Sequence, residues 1–504
     1  MVPTVSDRTA VSTRGAAWLL FAVTALSYAY FFQGGGWNQN AHFDTVRALV
    51  ERGTLEITAY ASNTGDVSTI GSRVFSNKPP GLALVAAPFH FLATKIEQAL
   101  GCDRRDPRVI TANAHLVAFV VSGLPAALLI VALFLEFCDQ GAPLGDATLL
   151  AAAGGWGTLL LPYAGLAMTH NLVALCLFVA LLAVRRRAAT RRHLVLAGAL
   201  LAVASLADYL VWPLILALVV FLALSNPGER LHSLWLLPGP LLAGITLLAL
   251  NRVTFGEFWV TSYSHQAETF TQHGLLFGVF DWPQLERLYW LTFHPFRGLF
   301  TICPALIVSL LAFGHPRRVA ELVLKNRLAL VVIAYLFLFN LSFNGWTGGW
   351  GIGPRYLIPV IPFILLFAWQ GWQSAGRLGS VLLLASVGLM VAASAVRVMV
   401  PAPNSGPPVS GSAVFEDVRE LMSGQISTST QGVLDYGAAP PEAAAVHFWD
   451  SYNLGELLGL RGTASLLPLL GVIGGFVTVV QLRFARSAEK PDRKYASRSR
   501  RRQG

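Results

Sequence analysis

Apolar runs of about 20 residues recur along this chain, and a run of that length lets an α-helix cross a membrane core about 30 Å thick. The runs lie at 16–33, 110–136, 147–163, 167–184, 194–207, 209–224, 233–250, 298–313, 328–343, 356–372, 379–399 and 464–482. Only 13% of the 504 residues are charged, about half the share in soluble domains. The sequence therefore predicts an all-α polytopic membrane protein with about twelve transmembrane helices.

Basic residues set the predicted orientation of these spans. Lys and Arg concentrate in three segments between or after the apolar runs, namely 185–192, 315–327 and 483–504. Because cytoplasmic loops are enriched in Lys and Arg, both termini are predicted to lie in the cytoplasm, with the protein in a bacterial inner membrane. The net charge of +10 then reflects topology and contact with anionic lipid, and no nucleic-acid partner is expected.

The predicted orientation divides the chain into parts with different surroundings. These are a cytoplasmic N-terminus at 1–15, a transmembrane domain at 16–399, an outer loop at 400–463, a last transmembrane helix at 464–482 and a basic cytoplasmic tail at 483–504. Within the transmembrane domain, an outer loop at 34–109 follows the first span. The interior spans carry almost no charge, so chemistry is expected at the outer face, where the polar residues gather.

The first outer loop begins with a short amphipathic helix, predicted at 43–52. Asp44, Arg47 and Glu51 fall on one face of it, as in a helix that lies in the membrane interface. The residues alone also allow a structural interpretation, with Asp44 as a helix-start charge and Arg47–Glu51 as an i,i+4 pair. Further on, Lys78 precedes two prolines and a glycine, where its amine either snorkels to the membrane surface or holds a phosphate.

The order of these residues carries a family resemblance. The loop contains, in sequence, Asp44, Arg47, Gly53, Phe75 and "KPP" at 78–80. This pattern resembles the first outer loop of the GT-C membrane glycosyltransferases, in particular the family 39-like branch with protein O-mannosyltransferases and lipid A aminoarabinose transferases. In that family the loop forms two interfacial helices over a cavity, an acidic residue serves catalysis, and the lysine region faces the phosphate of a polyprenyl-linked sugar.

The resemblance continues more weakly along the layout of most of the first 370 residues. The stretch "LAMTHNLVALCLFVALLA" at 166–183 resembles a family span with an acidic outer end, and His170 and Asn171 stand in that place. The stretch "GWTGGWGIGPRYLIPVIPFILL" resembles the late outer loop of the family and the start of the span after it. It contributes Arg355 and Tyr356.

The resemblance implies a GT-C-like bundle that transfers a sugar from a polyprenyl-phosphate donor to an acceptor glycan, lipid or protein at the periplasmic face. One carboxylate acting as general base is enough for an inverting attack, and Asp44 is the candidate. Lys78 and Arg355 are the candidates for binding the donor phosphate, whose developing charge cations stabilise. The residues predicted to bind substrate or to support the site are Arg47, His170, Asn171, Asp208 and Tyr356.

The sequence leaves the cofactor unknown. Thr45 follows the acid where the family commonly has an Asp-Glu pair, and Asn77 stands where many relatives have an acid before the lysine. A second outer loop is predicted at 251–297, and the loop at 400–463 is the third. His265, Glu268 and His273 in the second loop are too loosely spaced to share one helix face, which argues against a metal site there. A divalent metal is therefore neither required nor excluded.

Two other functions fit the same composition. One is a transporter or flippase of a lipid-linked saccharide, and the other is a catalytically inactive GT-C relative that serves as an assembly subunit. A transporter should carry polar residues deep in several spans and broken helices in matched halves. Asp208, which interrupts two apolar runs, is instead predicted to lie at an outer turn. Arg355 also suits an interfacial anchor, and His170 a structural histidine at a helix end.

Overall fold

The structure, a computed structural model, describes residues 5–185, 190–225, 230–266, 279–314, 316–400, 412–428 and 451–484. Helices dominate it, as the apolar runs predict, and two small antiparallel sheets are added. The α-helices are α1 (Val5–Tyr28), α2 (Trp37–Arg52), α3 (Gly81–Leu100), α4 (Pro107–Ala118), α5 (Leu124–Asp139), α6 (Leu144–Trp156), α7 (Leu160–Ala164), α8 (His170–Arg185), α9 (Arg191–Ala207), α10 (Val211–Ser225), α11 (Arg230–Ser233), α12 (Pro238–Phe255), α13 (Glu286–Thr292), α14 (Leu299–Ile302), α15 (Ala305–Leu310), α16 (Pro316–Lys325), α17 (Arg327–Ser342), α18 (Ile361–Leu365), α19 (Ala368–Val396), α20 (Ala413–Met422), α21 (Leu454–Leu457) and α22 (Leu467–Phe484). The strands are β1 (Phe31–Gln33), β2 (Val67–Ile70), β3 (Arg73–Ser76) and β4 (Ser451–Asn453).

Within these described ranges, three helices are long and apolar enough to cross a membrane. They are Pro107–Asp139, Ala368–Val396 and Gly462–Leu482. A fourth span results if Val319–Lys325 and Arg327–Ser342, which meet at 83°, are one broken helix. The structure thus supports a membrane protein with several spans, but the predicted number of about twelve is not confirmed.

Breaks within the apolar runs account for the difference. The run at 298–313 folds as α14 and α15, separated at Cys303 and Pro304, because a proline has no backbone N–H to continue the helix. The run at 147–163 likewise folds as α6 and α7, separated after Gly157. Apolar composition therefore identified helical segments but not the breaks within them.

The ambiguous stretch 194–224 consists of two helices, as the sequence predicts. The backbone at Asp208 is extended, with φ −153° and ψ 125°, and this residue ends α9. The Asp208 carboxylate accepts a hydrogen bond from the Leu210 N–H at 3.1 Å, and the Tyr335 hydroxyl donates to the Leu210 carbonyl at 2.6 Å. These side chains satisfy backbone groups that the end of a helix leaves without partners.

The first outer loop contains α2, a β2–β3 hairpin and α3. Helix α2 begins at Trp37 rather than at residue 43, and it ends where predicted, at Gly53, whose left-handed backbone (φ 65°) allows its N–H to bond the Ala48 carbonyl. Such a glycine is a common helix stop because it lacks a Cβ. The two loop helices expected from the family resemblance are therefore present, with a hairpin between them.

Gly81 joins this loop to the helical bundle. A Cβ atom built on it would lie 2.3 Å from the Leu206 carbonyl carbon and 2.4 Å from the Ala207 nitrogen. Only a residue without a side chain allows α3 to start this close to the last turn of α9. The "KPPG" segment is thereby held against the break at Asp208.

The described parts of the third outer loop are tied to the end of the first span. Strand β1 pairs with β4 in an antiparallel register, and the Tyr30 hydroxyl donates to the Ser465 carbonyl at 2.5 Å. The Tyr452 hydroxyl lies 2.7 Å from Nδ1 of His115. The remainder of the predicted 400–463 loop, at 401–411 and 429–450, and the tail at 485–504 lie outside the described residues.

The Gly81 contact predicts an unusually costly alanine substitution. Gly81→Ala should lower the thermal unfolding midpoint of the purified protein clearly, because its Cβ meets backbone atoms that cannot move aside, and overpacking alone costs about 1–3 kcal/mol. Gly388→Ala is the matched control, since nothing lies within 4 Å of the corresponding Cβ position. Equal midpoints for the two variants would contradict the close approach of α3 and α9.

Candidate functional site

Lys78 forms a buried ion pair at the open end of the β2–β3 hairpin. Its Nζ lies 2.9 Å from Oδ2 of Asp66, and the two side chains are 17% and 9% exposed. The hairpin pairs Val67 with Ser76, and the Asn77 N–H donates to the Asp66 carbonyl at 3.0 Å. Asp66 is not among the residues predicted from the sequence, although strand-like segments on either side of Gly71 indicate a hairpin that would bring it beside Lys78.

His42 on α2 is buried close to two predicted phosphate-binding cations. Burial, together with the charges of Lys78 and Arg355, lowers the pKa of His42 to about 3, so its imidazole is neutral. One turn earlier on the same face, Oε1 of Gln39 accepts a hydrogen bond from the Ala167 N–H at 3.2 Å. This face of α2 therefore rests against the segment that leads into α8.

His170 begins α8 at the same place. Its ring stands edge-on to the rings of Tyr163 and Tyr356, at centroid distances of 6.0 and 5.7 Å. It is near enough to Arg355, His42 and Lys78 to interact with them electrostatically. The structure thus gathers Lys78, His170 and the adjacent Arg355 and Tyr356 from three distant parts of the sequence.

Arg355 is buried at the start of the short helical segment Arg355–Val360, which leads into α18. Its Nη1 contacts the Trp350 carbonyl at 3.4 Å and Sδ of Met168 at 3.8 Å, and its guanidinium carbon lies 5.3 Å from the centre of the Tyr356 ring. Its Nε is buried without a hydrogen-bond partner among the described residues. No carboxylate in the described ranges lies within ion-pairing distance of this guanidinium, although the Asp66 carboxylate acts on it electrostatically and it shares a side-chain hydrogen bond with Tyr356.

Arg297 holds the glycine-rich loop that precedes Arg355. It is 2% exposed, and its guanidinium donates to the carbonyls of Thr347, Gly349 (2.7 Å) and Gly353 (3.4 Å). The planar guanidinium holds several N–H donors in fixed directions, so one arginine can donate to several carbonyls of the same loop. Arg297 is not among the residues predicted from the sequence. Its position directly before the apolar run at 298–313 is the feature that could have indicated a buried arginine with hydrogen-bond partners.

Asp208 lies at the α9–α10 break, next to aromatic side chains. Burial raises the pKa of its carboxyl to about 6, against the opposing effects of the Leu210 N–H and the Lys78 charge. Tyr209 stands edge-on to Tyr263 of the second outer loop, with ring centroids 5.6 Å apart. Asp208 is thus a carboxyl group that titrates near neutral pH at the edge of the cluster.

The second outer loop is bonded to the hairpin that carries Lys78. The Ser68 hydroxyl donates to the Ser262 carbonyl at 2.5 Å, and the Ser262 hydroxyl donates to the Asn77 carbonyl at 2.9 Å. These two bonds hold Ser262 against the hairpin, and with it the neighbouring Tyr263. Neither contact could be read from the sequence, because the partners are separated by nearly 200 positions.

Three other predicted residues occupy different surroundings. Asp44 is buried, with 1% exposure, but it lies two positions from His42, which turns the two side chains about 160° apart on a helix. Arg47 stacks on the ring of Tyr60 at 4.3 Å and lies 3.5 Å from Glu51. The Asn171 amide donates to the Leu160 carbonyl at 3.1 Å. Arg47 and Asn171 therefore hold the fold together, and the role of Asp44 stays a prediction.

The described residues do not contain a group of three or more His, Cys, Asp or Glu side chains placed to hold a metal ion. Of the second-loop trio, Glu268 and His273 lie outside the described residues. His265 is described, and its ring stacks on Phe255 at 5.7 Å.

A cavity opens beside Lys78, between the first outer loop and α12. The non-atom space in it is about 420 Å³, a figure that includes open solvent at its mouth. Its walls include the polar side chains Thr45, Ser76 and Asn251 and the aromatic side chains Phe75, Tyr209 and Phe255. A ligand in this cavity would touch Lys78.

The Asp66–Lys78 pair predicts strong energetic coupling between its partners. Removing one partner of a buried ion pair costs about 3–5 kcal/mol, because the other charge stays buried alone. Asp66→Asn and Lys78→Met should each destabilise the protein, and the double variant should lose much less than the sum. Thermal unfolding measures this cycle. The exposed Arg73–Glu56 pair of the same hairpin (2.8 Å) is the control, and a similar coupling in both pairs would contradict the prediction.

The contacts of Glu51 predict that the first outer loop is less stable at acidic pH. Burial raises its pKa, but His90, Arg47, Tyr60 and Arg104 outweigh burial and lower it from 4.5 to about 2. Since the folded-state pKa is depressed, this stabilisation is complete above about pH 4.5 and is lost as the pH falls towards 2.

Thermal unfolding measured from pH 6 to pH 2 tests the Glu51 prediction. The wild-type midpoint should fall more steeply over this range than that of Glu51→Gln. Glu257, which is exposed, supplies the control variant Glu257→Gln, whose curve should follow the wild type. Parallel curves for wild type and Glu51→Gln would show that Glu51 does not stabilise the loop.

The chain was compared with protein families, curated sequences and solved structures. Neither a protein-family model nor a curated protein sequence matches this chain. The chain is similar in structure to the "Crystal Structure of ArnT from Cupriavidus metallidurans bound to Undecaprenyl phosphate", with 14% sequence identity and a TM-score of 0.39 over 95% of this chain and 77% of that chain. A similarity at this level concerns the course of the chain and assigns no residue, so the site is defined by the contacts described above.

Proposed function

We propose that this protein is a membrane glycosyltransferase. It takes a sugar from a polyprenyl-phosphate donor and transfers it, with inversion, to a hydroxyl or amine acceptor at the outer face of a bacterial inner membrane. The second part of the proposal assigns the donor phosphate to Lys78 and Arg355, and the general base to Asp44.

The observation that carries the proposal is the buried, unmatched charge of Arg355 beside Lys78. A buried guanidinium without a carboxylate partner is costly, and a bound anion would offset that cost. Because His42 is kept neutral, it adds no further charge and remains able to donate one hydrogen bond. Two cations that both act electrostatically on His42 and His170 favour a phosphate group as the ligand.

The reaction uses these groups in a simple way. The acceptor oxygen or nitrogen attacks the anomeric carbon, the bond from that carbon to the phosphate oxygen breaks, and its electron pair stays on the phosphate. Lys78 and Arg355 stabilise the charge that develops there, and fixed donors in a buried site need no reorganisation to do so. The acceptor proton passes to a carboxylate.

Two carboxylates are candidates for that base. Asp44 follows from the loop pattern and is buried on α2. Asp208 has a pKa of about 6, near the value at which a group both takes up and releases a proton readily. The proposal keeps Asp44 as base and Asp208 as a substrate contact, and the test includes both.

A flippase of a lipid-linked saccharide is the alternative. The break between α9 and α10, with an ionisable residue inside it, favours this alternative, because transporters use broken helices at their substrate sites. The two functions differ in product. A transferase forms a new glycosidic bond, whereas a flippase only moves the donor across the membrane.

Transfer of labelled sugar in membrane vesicles tests the proposal. Wild-type protein should transfer label from a polyprenyl-phosphate donor, and Arg355→Met should lose about 100- to 1,000-fold in rate, the usual cost of removing one transition-state donor. Arg108→Met is the control, since Arg108 is an exposed cation that pairs with Asp106, and it should retain transfer. Asp44→Asn and Asp208→Asn are measured in the same assay.

The outcomes separate the candidates. Equal transfer by wild type and Asp44→Asn would show that Asp44 is not the base, and loss in Asp208→Asn alone would move the role there. If no donor is used while labelled lipid-linked sugar still crosses the bilayer, the protein is a flippase. Absence of both activities would identify an inactive relative.

A further inference from the structure

The cavity beside Lys78 has a chemical character that restricts the sugar. Lys78 is the only charged side chain among its lining residues, and none of them is acidic. Its ammonium already pairs with Asp66 at 2.9 Å. A ligand inside the cavity therefore meets one cation, at the wall where the donor phosphate is expected, and otherwise uncharged groups.

The polar walls offer both acceptors and a donor. The Thr45 hydroxyl donates to the Ala41 carbonyl at 2.7 Å, and the Asn251 amide donates to the Phe258 carbonyl at 3.2 Å. The oxygens of both side chains thus keep lone pairs for a ligand. Ser76 accepts from the Lys78 N–H at 3.1 Å, so its own O–H can donate.

The position of Asn251 is itself informative. It lies near the end of α12, a helix of otherwise apolar character, and is 5% exposed. An amide in this place is costly unless it is bonded, and a purely hydrocarbon ligand would leave its oxygen without a partner. Together with Thr45 and Ser76, it favours a ligand with hydroxyl groups over a lipid tail.

From these contacts we infer that the cavity receives an uncharged sugar, whose hydroxyl groups bond Thr45, Ser76 and Asn251 while its phosphate remains at Lys78. This inference rests on the proposed function and adds the class of sugar. The rings of Phe75 and Phe255, which meet edge-on at 5.9 Å, form an apolar wall against which the C–H face of a sugar packs.

Charged sugars fit this cavity poorly for two different reasons. The carboxylate of a uronic acid only accepts hydrogen bonds, so it would face the acceptor oxygens of Thr45 and Asn251. The ammonium of an amino sugar would lie in the cavity without a lining carboxylate to pair with, since Asp66 already pairs with Lys78, and a buried charge without a partner is costly. A neutral hexose meets neither obstacle.

Donor binding tests the inference separately from transfer. The full-length protein in detergent is titrated with polyprenyl-phosphate donors that carry a neutral hexose, a 4-amino pentose or a hexuronic acid. Wild type should bind the neutral donor at least about tenfold more tightly than either charged one, since mismatched polar groups in a closed site discriminate strongly. Asn251→Leu should weaken neutral-donor binding by about tenfold, the effect of one hydrogen bond.

A carboxylate placed in the cavity should shift the binding preference towards the amino-sugar donor. Asn251→Asp should raise the affinity for the amino-sugar donor relative to the neutral donor by at least about tenfold, through a new charge-assisted bond. Asn340→Asp is the matched control. Asn340 is likewise a buried helical asparagine, its amide donates to the Leu336 carbonyl at 2.8 Å, and it does not line the cavity. This variant should leave the ratio unchanged.

Each result bears on one of the two claims. Equal binding of a charged and the neutral donor by wild type, or an unchanged ratio in Asn251→Asp, would overturn the neutral-sugar inference even if transfer occurs. Selective binding of the neutral donor without transfer would support the inference and overturn the transferase proposal. Failure of every donor to bind would overturn both.

Discussion

The backbone contact between "KPPG" and the last turn of α9 joins the two halves of the outer face. On one side, Gly81 is followed by α3 and preceded by the hairpin that carries Asp66 and Lys78. On the other side, α9 ends at Asp208. A contact of 2.3 Å to a hypothetical Cβ leaves no room for a side chain, so the relative position of these elements is set by backbone against backbone. Such a contact is much stiffer than one between flexible side chains.

A shortage of negative charge is the second constraint on this region. Arg297 is fully buried and donates to loop carbonyls, although its Nε, like that of Arg355, is buried without a hydrogen-bond partner in the described structure. Lys78 is matched by Asp66. Burial and the charges of Lys78 and Arg355 lower the pKa of His42, so that its imidazole stays neutral. This charge balance supports the proposal that the region binds an anion, and the cavity beside it carries no acidic side chain among its lining residues.

The sequence predicted what local signals determine. Periodicity and Gly53 gave the end of α2, and the interruption at Asp208 gave the break between α9 and α10. The grouping of Lys78, His170 and Arg355 was expected, but only through a family resemblance. Asp66 and Arg297 were missed because their importance comes from pairing across a hairpin and from bonds to a loop about 50 positions away. The helical pattern also drew attention to the face with Asp44 and Arg47 and away from His42, since a wheel shows which residues share a face and not what that face will touch.

The shortfall in continuous spans and the polarity of the site have a common physical origin. Each break in an apolar run leaves N–H and C=O groups that must find partners away from water. At the α9–α10 break the partners are the Asp208 carboxylate and the Tyr335 hydroxyl, so satisfying the backbone places polar side chains inside an apolar bundle. Breaks in the apolar runs therefore do more than shorten helices. They create the positions at which a mostly hydrophobic chain can hold charged and hydroxyl groups, and the candidate site lies where such a break meets the outer loop.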